Sequence, residues 1–173
     1  MITRRIFYRI VLLVLLFSNT VSAQQNKDSK KRYIKVPEGY LMVLLQGDNI
    51  LQELEAFAEA EKIPAANFTG MGFVKTIKFG FFNFETKKYD PKEFTDSELA
   101  SMNGTIAHQN GKVSIHAHGI VTDKTFAAFG GHILDGKVGT GSVEIMILVH
   151  DKPFERIMEK DIGANVLCID KCN

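Results

Sequence analysis

The chain has 173 residues, 21 basic and 20 acidic side chains, a formal net charge of +1, 13 phenylalanines and two cysteines. That length suits one ordinary domain with a real core. The near balance of charge excludes a strongly basic protein drawn to phosphate by electrostatics alone.

Arg4, Arg5 and Arg9 precede an apolar run from Ile10 to Phe17, and Val21-Ser22-Ala23 offers small residues for cleavage before Gln24. The run is far short of the ~20 residues a spanning helix needs. Residues 1–23 therefore read as an export signal cleaved after Ala23, with an uncleaved anchor as the alternative. Loss of three arginines and no acid leaves 18 basic against 20 acidic residues and a net charge of −2. The expected address is the periplasm or the medium, with no membrane association after cleavage. Residues 24–32 are a polar, flexible lead-in, 33–168 the folded domain and 169–173 a short tail. Cys168 and Cys172 either bridge a very small loop or stay free, and nothing near them completes a zinc finger.

Tyr40 to Gln46 reads as a buried strand. Asp48 is expected to cap a helix that carries Ile50, Leu51, Leu54, Phe57 and Ala58 on one face and stops near Pro64. Asn67 to Met71 returns as strand, and Phe73 to Glu85 is an aromatic, β-branched stretch suited to core or subunit interface. Glu85 to Glu98 reads as a charged surface connection turning near Asp90-Pro91. Gly136 to Gly141 reads as a glycine-rich connection, and Ser142 to Val149 as an apolar strand that contains Glu144.

Between these lies the most informative segment. Asn110-Gly111 is a preferred two-residue hairpin turn, and such a turn sets Thr105 opposite His116 and Asn103 opposite His118. Side chains alternate along a strand, so His116 and His118 share a face at roughly 6 to 7 Å, with Ser114, while Val113, Ile115 and Ala117 point to the core. His132, in Gly130-Gly131-His132, joins them only in one register. A two-residue loop after Thr122 sends it to the wrong face, whereas a three-residue loop of Asp123 to Thr125 sets it across from His116. A bulge at Gly130-Gly131 gives the same correction. Three neutral imidazoles would hold a divalent transition metal, zinc first and iron or nickel next, with a position left for water or substrate. Asn103, Thr105 and Ser114 would surround it, and Glu144 is a candidate fourth ligand, partner to a ligand or general base. The alternative is that the histidines are satisfied by neighbours such as Asn103 and Thr105, in a polar pocket or at a subunit contact. His108 and His150 read as surface residues.

Gly47-Asp48, Thr69-Gly70-Met71-Gly72, Asn103-Gly104-Thr105-Ile106-Ala107, His116-Ala117-His118, Gly130-Gly131-His132-Ile133-Leu134, and Arg156 with Asp161-Ile162-Gly163 occur in an order and spacing that resemble the plants-and-prokaryotes conserved domain. The resemblance runs from about Tyr33 to Leu167. It implies an α/β (α+β) fold with a curved, largely antiparallel sheet and a main helix packed on it, a homotrimer, and a DNA-binding label. The chain departs from the DNA-binding members in having no Arg-Gly-Arg-Pro hook for the minor groove and in beginning with an export signal.

The leading expectation is thus an exported homotrimer that binds a divalent metal through His116, His118 and His132 and serves small-molecule binding or metal-assisted hydrolysis. A DNA-binding or regulatory protein is the alternative, and a periplasmic scaffold the third class. With no nucleophile elbow, phosphate loop or cysteine–histidine pair, the sequence fixes no reaction class and leaves enzymatic activity open.

Overall fold

The computed structural model describes residues 31–168. The expected export signal and its cleavage site, the first residues of the lead-in, the tail and Cys172, and with it the expected Cys168–Cys172 bridge, lie outside the described residues. The described chain is mostly strand with one short helix, which makes the fold β-rich rather than a balanced α/β. In order it runs β1 (Tyr33–Val36), β2 (Gly39–Leu45), α1 (Ile50–Ala60), β3 (Ala65–Asn83), β4 (Lys88–Gln109), β5 (Lys112–Thr122), β6 (Ala128–His150), β7 (Glu155–Glu159) and β8 (Ala164–Cys168).

The strands form one curved sheet, antiparallel except for a single parallel bridge between His108 of β4 and Glu155 of β7. β3 pairs with β4 and β6, and β5 pairs with the same two, so these four strands close into a ring. β2 and β1 extend the sheet beyond β6, and β7 and β8 extend it beyond β4.

Helix α1 lays its apolar stripe of Ile50, Leu54, Phe57 and Ala58 into the core, as the sequence periodicity demands. Tyr33 and Tyr40 pack edge-on against Phe57, at centroid distances of 4.8 and 4.9 Å, and their hydroxyls donate to the two oxygens of Glu61 just past the helix end. This ties β1 and β2 to the helix. The N-cap is Asn49, whose side chain accepts from the Gln52 amide, and not Asp48. Asp48 is drawn instead to Arg32, with contacts of 2.6 and 3.1 Å, and also accepts from the Leu45 amide. A charge-assisted fork outweighs a neutral cap bond.

Two expected connections are strand. Asp90-Pro91 does not turn the chain; the turn is Phe84–Lys87, and Pro91 sits within β4 opposite Gly80. Proline is tolerated there because β5 pairs with β4 only from Glu98 onward, so Lys88–Ser97 has an open edge among the described residues. Gly136 to Gly141 likewise continues β6, with register shifts against β3 that let one 23-residue strand bend around the ring.

Phe57→Ala would remove a fully packed ring and its two aromatic neighbours' support. It should cost about 3 to 5 kcal/mol, read as a lower urea midpoint with an unchanged slope.

Candidate metal centre

The Asn110-Gly111 turn forms as expected, both residues at positive φ (53° and 75°), and it pairs Thr105 with His116 and Asn103 with His118. β5 thereby sends Ala117 into the core and both histidines to the other face. Gly104 makes the close approach possible, since a Cβ there would lie 2.3 Å from the His116 carbonyl oxygen and 2.3 Å from the Phe68 ring.

The second turn differs from the expected one. Thr122 pairs with Ala128, so the loop has five residues, Asp123 to Ala127, rather than three, and no register shift occurs at Gly130-Gly131. His132 consequently faces His118 and not His116, two residues along, and stays on the same face because the shift is even. The loop is built around Asp123. Its Oδ1 accepts from the amides of Thr125 and Ala127 and from the Thr125 hydroxyl, and its amide donates to the Ala127 carbonyl. Those bonds hold the Asp123 carboxyl below its ordinary pKa, the Thr125 hydroxyl first among them.

The three imidazoles converge. Ring centroids are 5.1 Å apart for His116 and His118, 5.0 Å for His116 and His132, and 5.2 Å for His118 and His132. One ring nitrogen from each lies within 4.8 Å of the others. The Nε2 atoms of His116 and His118 are 3.2 Å apart, close to the ~3.4 Å that two nitrogens at zinc bond length subtend in a tetrahedron. His132 Nδ1 is buried with no hydrogen-bond partner. Three converging ring nitrogens, on a cluster where one buried imidazole nitrogen has no partner, fit a cation better than they fit one another, so the residues present suit the expected group.

The electrostatics bias two of the donors, His116 and His132, toward the neutral form. Burial, followed by His116, His118 and Arg156, pushes the His132 imidazole down to about 4. Burial, then Arg156 and His118, also lowers His116. A neutral imidazole is the metal-binding form. Tyr89 stacks on His132 at 4.7 Å and 20°, which fixes the ring plane.

Of the expected neighbours, Asn103 and Thr105 line one pocket with His116 and His118, and Ser114 lines another with His116 and His132. Glu144 is elsewhere. It is exposed, pairs with Val43 and Met71, and lines a separate pocket with Glu98 and Ser142. His108 and His150 are half-buried. His150 bonds Asn67 Oδ1 at 2.6 Å and stacks on Phe154, and the His108 amide donates to the Phe154 carbonyl. Tyr89 lay in what read as a surface connection and was missed as a site residue; the aromatic clustering of Phe82, Phe84 and Tyr89 was the available signal. Arg156, also at the site, entered only through the family resemblance.

A closed ring of antiparallel strands with a helix-backed core on one face and a histidine trio on the other defines a β-rich class. The chain belongs to the Plants and Prokaryotes Conserved (PCC) domain family, whose pattern it matches over residues 32–151. It is similar to a solved "putative DNA-binding protein" from Ralstonia eutropha, with 50% identity over 83% of this chain and 99% of the other and a TM-score of 0.79. A protein of the same description from Bacteroides thetaiotaomicron is 27% identical over 79% and 95% of the two chains, with a TM-score of 0.75. A metal-containing protein from Archaeoglobus fulgidus is 25% identical over 75% and 91%, with a TM-score of 0.68. No curated protein matches the chain.

The depressed His132 has a measurable consequence. Between its folded value of about 4 and the ordinary 6.5, the unfolded chain takes up a proton that the folded chain does not. Metal-free stability is therefore full above about pH 6.5 and falls as the pH drops toward about 4. The melting temperature of chelator-treated protein should be lower at about pH 5 than at about pH 7, and His132→Phe should shrink that difference. A melting temperature that rises on acidification contradicts the assignment.

Proposed function

We propose that this protein is an exported homotrimer that binds a divalent transition metal, zinc first and iron or nickel next, through His116, His118 and His132. The observation that carries the reading is the convergence of the three ring nitrogens within 4.8 Å, with His132 Nδ1 left without a partner. The metal-containing relative from Archaeoglobus fulgidus supports it. The export signal over residues 1–23 supports the address, and the family resemblance supports the trimer.

Zinc on three histidines supplies Lewis acidity and one position for water or a small molecule. The chain's own part is to bias His116 and His132 toward the neutral form, to fix His132 by stacking on Tyr89, and to place Arg156 and Thr105 beside the cluster. Glu144, away from the cluster, has no part in this proposal as a base.

The runner-up is a DNA-binding or regulatory role, favoured by the description of the 50% identical relative. It requires duplex DNA to be retained in a gel shift at low salt and released as salt rises. The leading reading expects no shift.

Elemental analysis of the purified protein should find about one zinc per chain, and His116→Ala and His132→Ala should lose it. Added zinc at ~100 times its dissociation constant should stabilise the stripped protein by about 2.7 kcal/mol. Equal metal content in the wild type and both variants overturns the assignment. Sedimentation should give three times the mass of the mature chain, and a monomer mass removes the trimer from the proposal.

A further inference from the structure

The cavity beside the histidines contains a second chemical signal. It is about 380 Å³, within the ~300 to 1,000 Å³ typical of small-molecule sites. Phe82, Tyr89, Met158 and Ile162 give it apolar walls, and His116, His132 and Arg156 supply polar ones. Arg156 is only 5% exposed. One guanidinium nitrogen donates to Thr105 Oγ1, while its Nε is buried with no partner.

Among the described residues no carboxylate lines this cavity. The ion pairs found among the described residues, Arg32 with Asp48 and Lys75 with Asp96, do not involve Arg156. A guanidinium stays protonated in proteins, so it cannot relieve its burial by neutralising. A buried cation without a counter-ion is costly unless an anion arrives from outside.

We propose that this cavity binds a small organic carboxylate, its charged end on Arg156 and its apolar body against Phe82, Tyr89 and Met158. The planar guanidinium fork matches a carboxylate. Apolar walls disfavour inorganic phosphate, whose every oxygen needs a donor. The inference deepens the metal reading, because His116 and His132 share the cavity and a metal there offers the same anion a second anchor; the contact with Arg156 stands without it.

Calorimetric titration of the full mature chain, zinc-loaded and chelator-treated, with mandelate, its neutral amide and inorganic phosphate tests this. Mandelate should bind at least about tenfold more tightly than either of the others. Arg156→Met should abolish the preference for mandelate over the amide, and Arg156→Lys, which keeps the charge and loses the fork, should fall between. In the chelator-treated protein Tyr89→Ala should weaken mandelate more than acetate, a readout that does not depend on altering Arg156. Equal affinities for mandelate and its amide, or phosphate as tight as mandelate, overturn the proposal. Wild-type protein that takes up no zinc yet binds mandelate through Arg156 defeats the metal reading alone, and zinc-loaded protein with no preference for mandelate defeats the carboxylate proposal alone.

Discussion

His118 and His132 face each other across a five-pair antiparallel ladder between β5 and β6, and the cluster exists because of that pairing. Side chains alternate with a period of two, so a slip of one residue would turn His132 to the core side and bring Ile133, now buried, into the site. The Asp123 loop sets the register, with one carboxylate oxygen collecting three donors. Gly130 lets the strands approach, since a Cβ there would come within 2.5 Å of the Gly119 carbonyl oxygen. The ring of β3, β4, β5 and β6 makes the arrangement cooperative. β5 is held on both sides, so the histidines cannot relax apart without opening two ladders.

Burial and positive neighbours act together on this face. Desolvation penalises an imidazolium, and Arg156 adds repulsion, so His116 and His132 are biased toward the neutral form that ligates metal. The same low-dielectric surroundings leave Arg156 short of an anion. A dication and an organic anion would balance this part of the molecule together. The histidines alone do not explain why a buried arginine stands in their cavity, and the arginine alone does not explain three facing imidazoles.

Much of this was legible in the residues. Asn110-Gly111 specified its hairpin and register because few other residue pairs accept two consecutive positive φ angles. The apolar stripe of α1 specified its buried face. The parity that joins His132 to the other two was legible, but its partner was not, because the Asp123 loop is closed by side-chain bonds that depend on three-dimensional geometry and not on loop composition. Asp90-Pro91 and Gly136 to Gly141 carry local turn chemistry that tertiary pairing overrides: β4 has an open edge where its proline falls, and β6 needs flexible backbone to bend. Tyr89 reaches His132 from β4 and Arg156 reaches Thr105 from β7, long-range contacts that spacing alone could not supply.

The central claim is that three imidazoles from β5 and β6 hold one metal ion. X-ray absorption at the zinc edge of the purified protein tests it most directly. The account predicts a first shell dominated by three nitrogens at about 2.0 to 2.1 Å, lost on His132→Ala. A shell of oxygens alone, or a spectrum unchanged by His132→Ala, would contradict it.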